Sequence, residues 1–295
     1  MISIVIPSYN SEQTIGKCID SLKNQSYESE YEIILVDSSA DNTPNIVRQE
    51  YPDIKFTYLE EKTDPGTARN LGIKKAKGEI IAFIDSDCIA GRDWLKNIET
   101  AHKQGYNVVG GAVDIANEEN DLIGWAGYIA EFREFLPGVP RHEAGHIPTC
   151  NISCKKGIFD KFGSFDGKYY PQEDLVFNYN LRQKGEKILF LPEIQVRHQH
   201  RSNLKEFFVH QRKIGKITAK VMKVINLEGS FIVRNPVPGL VLIPLLPVVK
   251  FIRTVMAFLR YQPQAITKRP LVLVLFAIGL VYWVIGFVSG IYTRS

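Results

Sequence analysis

The stretch Ile80-Ile81-Ala82-Phe83-Ile84-Asp85-Ser86-Asp87 decides the fold of this chain. It opens with five consecutive apolar residues, and such a run is typical of a strand that is buried on both faces. Two earlier runs, 2–6 and 32–36, have the same character, and stretches with helical spacing of apolar residues separate the three. Buried strands that alternate with helices form parallel sheets covered by helices. The sequence therefore predicts an α/β fold with a mainly parallel, doubly wound sheet.

Two of these strands end in a carboxylate, Asp37 and Asp85. Ligands of doubly wound sheets bind at the carboxyl ends of the strands. Asp85 and Asp87 form an Asp-x-Asp pair, and paired carboxylates suit a hard divalent cation that is shared with phosphates. An aspartate in this position can also simply cap a helix, so neighbouring motifs have to support the metal interpretation.

The charge of the chain is divided very unevenly along its length. The 295 residues are 45% hydrophobic and carry a net charge of +4, a composition that excludes a disordered chain. Residues 1–196 contain 21 Lys and Arg against 30 Asp and Glu, whereas residues 197–295 contain 15 against 2. The acidic body argues against nucleic acid as a partner, and the basic, apolar tail is typical of membrane attachment.

The N-terminus points to the cytoplasm, and the cysteines add little to this. Residues 1–7 read as a first strand and lack the basic region and long apolar core of a signal peptide. The four cysteines are too few to imply a disulfide scaffold. We therefore expect the acidic body to lie on the cytoplasmic face of the cell membrane.

The last long apolar segment, 271–292, has no charged residue and is predicted to be a transmembrane helix. As a helix it would measure about 33 Å, enough to cross the hydrocarbon core, although a buried core helix is the alternative. The segment 237–259 is apolar but contains prolines and two basic residues, so it could span the membrane, re-enter it or lie in the interface. Basic residues 260, 268 and 269 follow it, and positive-inside reasoning puts that short loop in the cytoplasm. Arg294 is the one charge after the last segment, and a two-helix hairpin would put the loop outside.

A basic amphipathic helix is predicted between the body and the apolar tail. Apolar residues recur at helical spacing from Phe207 to Val224, next to a lysine stripe at 213, 216, 220 and 223. Such a helix lies on an anionic leaflet, or it faces a core and leaves its lysine edge in water. The predicted division is a catalytic domain at 1–205, an interfacial helix and linker at 206–236, and a membrane-attachment region at 237–295.

Seven motifs, which follow one another in order along about residues 1–200, together resemble the family-2 glycosyltransferases. They are Ile4–Asn10, Ile34–Thr43, Gly66–Gly72, Ile80–Asp87, Thr149–Ser153, Phe162–Asp166 and Gln172–Asp174. Each motif is common by itself, so the resemblance depends on their order. It implies a GT-A fold, a nucleotide-sugar donor linked to UDP, GDP or dTDP, and Mg²⁺ or Mn²⁺ as the cofactor.

The resemblance also implies roles for the donor-side residues. Asp37 would bind the base or ribose, and Arg69 would reach the base or a phosphate. Asp85 and Asp87, with Ser86 between them, would hold the ribose and, through the cation, the diphosphate. The pocket around the base would be lined by Pro7, Ser8 and Tyr9.

The resemblance assigns the chemistry to the second half of the body. Asp174 would be the general base that takes the proton of the acceptor hydroxyl, and Glu173 is the second choice. His198 and His200 are candidate metal ligands, or alternatively histidines that are hydrogen-bonded at the domain edge. Asn151 and Cys150 are expected on the acceptor side.

These roles predict an inverting, metal-dependent glycosyltransferase of the hexosyltransferase type. It would transfer a single sugar, because the Gln-x-x-Arg-Trp element of processive members is missing. The acceptor would be a hydroxyl of a membrane-borne, lipid-linked compound in glycan or polysaccharide synthesis, because the tail holds the site at the bilayer. The alternative within the class is sugar transfer to polyprenyl phosphate. Alternatives of another class are a nucleotidyltransferase and a non-catalytic membrane scaffold.

The stretch His142-Glu143-Ala144-Gly145-His146 matches the zinc-protease pattern. That chemistry needs both histidines on one face of a helix, and the glycines and prolines around this stretch argue against a helix. We expect residues 136–148 to form a loop over the acceptor site instead.

Overall fold

The computed structural model describes residues 1–235, 239 and 241–293, and they belong to two compact units. The first unit contains Met1–Ala116 and Val139–Gln199, and the second contains Asn117–Gly138 and His200–Ser295. Residues 117–138 thus belong with the C-terminal helices, although the sequence-based division places them inside the first domain. They do so because their apolar helix packs against the last long helix of the chain.

The first unit is built on a mixed sheet whose described part has nine strands. Their order is β3-β2-β1-β4-β8-β6-β9-β5, and β7 pairs with β9. Strands β1 to β4 are parallel to one another, as predicted, whereas β8 is antiparallel to both β4 and β6. The strands are β1 Ile2–Ser8, β2 Tyr31–Asp37, β3 Lys55–Tyr58, β4 Ile80–Phe83, β5 Cys88–Ala90, β6 Val108–Ile115, β7 His142–Glu143, β8 Ile152–Lys155 and β9 Ile188–His198.

The described helices are numbered here in chain order over both units. They are α1 Ile15–Lys23, α2 Thr43–Glu50, α3 Pro65–Lys75, α4 Trp94–Lys103, α5 Leu122–Glu131, α6 Gly157–Phe162, α7 Glu173–Gln183, α8 Leu204–Val224, α9 Ser230–Arg234, α10 Leu245–Tyr261, α11 Gln264–Thr267 and α12 Leu271–Tyr292. Helix α1 shows how they form, because its apolar residues at helical spacing are all fully buried. Helix α3 begins at Pro65, after Asp64 caps it by accepting a hydrogen bond from the Thr67 amide.

Helix α3 lies unusually close to strand β1. A Cβ atom on Gly72 would lie 2.3 Å from Cγ1 of Val5, so only glycine allows this approach. The close packing fixes α3 against the strand that ends in Pro7 and Ser8. One face of the predicted nucleotide pocket is therefore set by a glycine contact inside the first unit.

The second unit is helical, and its core lies among α8, α9, α10 and α12. Within the described residues, α12 is the one helix that is long and apolar enough to cross a membrane. Helix α8 packs its apolar side against α12. This agrees with the second of the two interpretations of that segment, a helix that faces a core and leaves its lysine edge in water. The predicted segment 237–259 is helical from Leu245 onward, and its first positions lie outside the described residues. Arg294 also lies outside the described residues.

Replacing Gly72 by alanine is expected to destabilise the protein by about 1–3 kcal/mol, because the added methyl group overpacks Val5. Alanine favours a helix over glycine by about 1 kcal/mol, so an unhindered site would give the opposite sign. Urea unfolding of the single variants and of Val5→Ala/Gly72→Ala measures this. The double variant should lose less stability than the two single variants together, and a stabilised Gly72→Ala protein would contradict the close packing.

Candidate active site

The first part of the site lies at the carboxyl ends of β1 and β2. Ser8 is paired with Asp37 in the strand register, so both predicted donor-side residues lie at one edge of the sheet. The Asp37 carboxylate is buried and accepts hydrogen bonds from the hydroxyl and the amide of Ser39, at 2.5 and 3.2 Å. The Tyr9 ring is exposed and lies 4.0 Å from Nζ of Lys62. The edge thus offers a flat aromatic surface beside an ordered, acidic loop.

The Asp-x-Asp stretch follows the next strand of the parallel group, β4. The Asp85 carboxylate accepts a 2.6 Å hydrogen bond from Arg69, and Ser86 Oγ shares a 2.7 Å hydrogen bond with Ser11 Oγ. Asp87 is more open to solvent than Asp85, and one of its oxygens lies 3.4 Å from Nε2 of His198. The two carboxylates therefore have different neighbours.

The structure brings Asp87 and His198 close to Cys88. Cys88 was not among the candidate metal ligands predicted from the sequence. One potential ligand atom from each of these three residues lies within 4.8 Å of the others. Cys88 and His198 are opposite each other in the antiparallel pairing of β5 and β9. No local sequence signal could have shown this contact, because it depends on the register of two strands that are far apart in the chain.

His200 lies in a different environment from His198. It belongs to the second unit, where its buried ring contacts Tyr128 and Phe132 at centroid distances of 5.9 and 5.4 Å. Its backbone amide donates a 2.6 Å hydrogen bond to Asn117. Among the described residues, the grouping of potential metal ligands does not include His200 or Asp85.

Arg69 joins the Asp-x-Asp stretch to the predicted base. Its guanidinium is 3% exposed and donates to Asp85 at 2.6 Å and to Glu173 at 2.7 Å. Arg69 thus pairs with both carboxylates, and its predicted contact with base or phosphate stays a prediction. The cluster, with Asp174 next in the chain, sets one guanidinium against three carboxylates and is short of positive charge.

Glu173 and Asp174 open helix α7, and the pKa of each is raised. Burial raises the pKa of Glu173 to about 7, with Arg69 opposing the shift and Asp174 adding to it. Burial also raises the pKa of Asp174, against Arg69 and the amides of Thr149 and Leu175. Those amides donate to the two oxygens of Asp174 at 3.2 and 2.7 Å. Asp174 is therefore held in place and is more basic than an ordinary aspartate.

Asn151 and Cys150 lie in the interior of the first unit. Asn151 accepts a 2.8 Å hydrogen bond from the Trp94 indole and donates two of 2.8 Å to the carbonyls of Ala112 and Ile194. Its side chain has no exposed area, so its observed contacts are structural. Cys150 is also buried, and its thiol lies next to that of Cys88.

The stretch around His142 does not form a helix. His142–Glu143 is strand β7, which pairs with β9 at the Phe190 and Leu189 positions. The two histidines of the zinc-protease pattern therefore do not share a helical face, as the glycines and prolines predicted.

Comparison with known proteins identifies the family. The family model described as glycosyl transferase family 2 matches residues 3–163, more than half of the chain. This chain therefore belongs to glycosyl transferase family 2 and is a glycosyltransferase. The resemblance that the seven motifs predicted is confirmed.

Relatives and solved structures agree with the family. Glycosyltransferase AglE from Haloferax volcanii is 26% identical over 242 residues, which cover 78% of this chain and 77% of that protein. The dolichyl N-acetyl-alpha-D-glucosaminyl phosphate 3-beta-D-2,3-diacetamido-2,3-dideoxy-beta-D-glucuronosyltransferase from Methanococcus voltae is 29% identical over 233 residues, 70% of this chain and 69% of that protein. The mannosyltransferase PcManGT from Pyrobaculum calidifontis, solved with GDP-Man and Mn²⁺, matches at a TM-score of 0.64 and 16% identity, covering 100% of this chain and 88% of that one. The likeness to this structure confirms the GT-A fold.

Glu173→Gln is expected to stabilise the protein increasingly as the pH rises. The pKa of Glu173 is about 7 in the folded protein, against a reference value of 4.5 for the unfolded chain. Glu173 therefore binds its proton more tightly in the folded state, and the stability of the wild-type protein falls as the pH rises from 4.5 to 7. Glutamine does not titrate, so its advantage should grow by up to about 3 kcal/mol between pH 5 and pH 8. Urea unfolding at both pH values measures it, with exposed Glu143→Gln as the control. An equal effect of Glu173→Gln at the two pH values would contradict the raised pKa.

Proposed function

We propose that this protein transfers a single sugar, with inversion, from a nucleotide-sugar donor to a hydroxyl of a membrane-borne, lipid-linked acceptor. The observation that carries the proposal is the buried path from Asp85 through Arg69 to Glu173, next to the fixed carboxylate of Asp174. This path connects the donor motif to a base of raised pKa within one unit. It supports a reaction in which donor and acceptor meet between these two groups.

Asp174 is the proposed general base. It would accept the proton of the acceptor hydroxyl while that oxygen attacks the anomeric carbon, and the bond to the nucleoside diphosphate breaks on the opposite face. One base with in-line attack inverts the anomeric centre. The raised pKa of Asp174 supports this role because it brings the basicity of the carboxylate closer to the working pH.

The donor would bind along the ends of β1, β2 and β4. Tyr9 offers its exposed ring to the base, and Asp37 with Pro7 and Ser8 borders the ribose. Buried Arg69 is assigned a positioning role, because it holds Asp85 and Glu173 rather than facing the ligand. The donor nucleotide of this chain is UDP, GDP or dTDP, and the related mannosyltransferase was solved with GDP-Man.

A divalent cation would be held by Asp87 and His198, with the Cys88 thiol within reach. This set of oxygen, nitrogen and sulfur donors fits Mn²⁺ better than Mg²⁺, which prefers oxygen ligands. The related mannosyltransferase with Mn²⁺ supports this preference. When bound, the cation supplies positive charge that stabilises the departing diphosphate.

The lipid-linked acceptor is proposed from the relatives and from the basic, apolar tail. The Methanococcus voltae relative is named for a dolichyl phosphate-linked sugar, which supports an acceptor of this class for this chain. Such an acceptor places the reaction at the cell membrane, and we propose its cytoplasmic face. The second candidate, transfer to a polyprenyl phosphate, would not need a base, because that acceptor is already ionised.

Asp174→Asn is expected to lower kcat by about 10²–10⁴-fold, because the amide cannot take the proton of the acceptor. Donor binding should change little. The rate of product formation with a lipid-linked acceptor, measured at several donor concentrations, gives both kcat and the KM for the donor. Asp166→Asn, an exposed residue paired with Lys168, is the matched control and should keep its activity. Near-full activity of Asp174→Asn would contradict the hydroxyl-acceptor mechanism and favour a phosphate acceptor.

Donor hydrolysis by the purified protein tests the donor and the metal together. Among UDP-, GDP- and dTDP-sugars, one nucleotide class should be hydrolysed, with Mn²⁺ more effective than Mg²⁺ and no turnover in EDTA. Asp87→Ala should lose the response to Mn²⁺, because it removes the most open ligand. Hydrolysis that is equally fast in EDTA would contradict the metal assignment.

A further inference from the structure

The second unit is held together by two helices whose backbones nearly touch. A Cβ atom on Gly215 of α8 would lie 1.9 Å from the carbonyl oxygen of Trp283 in α12. A Cβ atom on Gly286 of α12 would lie 1.9 Å from the carbonyl oxygen of Arg212 in α8. Glycine at both positions lets the two backbones come into direct contact, so α8 and α12 pack as a close pair.

The two helices run in the same direction where they pack against each other, from Phe207 to Lys223 of α8 and from Gly279 to Ile291 of α12. Phe207 lies against Gly279 near one end, and Ala219 lies against Gly290 near the other. At the far end, Nζ of Lys223 donates hydrogen bonds to the carbonyls of Gly290, Ile291 and Thr293, at 3.3, 2.7 and 3.1 Å. A lysine of α8 thus caps the C-terminus of α12, where the helix dipole favours a cation.

This packing bears on how α12 meets the membrane. An orientation that carried α12 across a bilayer would carry α8 across beside it. Helix α8 has charged residues throughout its length, and charges in the hydrocarbon core are strongly unfavourable. They are Lys205, Glu206, Arg212, Lys213, Lys216, Lys220 and Lys223.

The free side of α12 is an apolar stripe. Its six members recur every three, four or seven residues and are 41% to 63% exposed, while the opposite side of the helix is buried. The stripe consists of Leu271, Val274, Ile278, Val281, Ile285 and Tyr292. Helix α10 has a similar stripe that includes Ile252 and Met256, with Arg253 and Arg260 exposed beside it. Apolar stripes of this length on a surface mark an interaction site.

We infer that α12 lies along the membrane surface, with its stripe in one leaflet, and does not cross the bilayer. The occupant of the stripe is a leaflet that contains anionic phospholipids, because residues 197–295 carry 15 Lys and Arg against 2 Asp and Glu. The inference deepens the proposed membrane location and rests on that part of the proposed function. It does not depend on which sugar, donor or acceptor the site uses.

Labelling at the two ends of α12 tests the orientation. The full chain carries one added cysteine, at Lys268 or at Thr293, and its four native cysteines are buried. It is expressed in cells, and sealed inverted membrane vesicles are treated from outside with a membrane-impermeant maleimide. Both added cysteines should react to a similar extent before detergent is added, with the wild-type chain as the blank. Protection of one end until the vesicles are opened would show a spanning helix and overturn the inference.

Flotation of the purified chain with phosphatidylcholine vesicles, with and without phosphatidylglycerol, tests the occupant. Binding should need the anionic lipid, and Ile278→Glu should weaken it by about tenfold or more, because it places a charge on the stripe. Tyr58→Glu, on an exposed strand of the first unit, is the matched control and should bind normally. No flotation of the wild-type chain, or a stable dimer that hides the stripe, would overturn the inference. Donor hydrolysis, measured on the same samples, tests the proposed function separately.

Discussion

The buried guanidinium of Arg69 is the interaction on which the site depends. It joins Asp85, at the end of a central strand, to Glu173, at the start of a helix that begins 88 residues later in the chain. Taking these charges out of water is costly, and one cation cannot balance three carboxylates. Burial raises the pKa values of Glu173 and Asp174, and the neighbouring carboxylates add to the shift while Arg69 opposes it. The cluster loses stability as its carboxyl groups ionise, and the proposed function would account for keeping them together.

The antiparallel strand β8 explains how the base is held. It lies between β4 and β6, and the turn that leads into it contains Thr149 and Asn151. Asn151 ties that turn to the interior through three hydrogen bonds, and the Thr149 amide then points at Asp174. A residue without exposed area can thus support the acceptor side through the position of its neighbours. The sheet thus holds the turn in place, and the turn holds the carboxylate of Asp174.

The helical unit follows a different physical rule. Its helices pack through backbones in contact at glycine positions and through a buried apolar cluster, while Gln211 of α8 is a buried polar side chain. Helix α12 meets the length and composition of a membrane span, but its neighbour α8 carries lysines at 213, 216, 220 and 223. Hydropathy describes one helix by itself, whereas the orientation that we infer for α12 depends on its close contact with α8.

The sequence by itself determined the features that depend on neighbouring residues. These are the alternation of strands and helices, the carboxylates at strand ends, the acidic pair Glu173-Asp174 and the apolar character of 271–292. Tertiary structure alone decided that Cys88 lies opposite His198 and that Arg69 forms ion pairs with two carboxylates. It also decided that His200 and residues 117–138 belong to the helical unit. The physical reason is that periodicity and motif order report local preference. Strand register and helix packing bring together residues about a hundred positions apart, and no local pattern encodes those contacts.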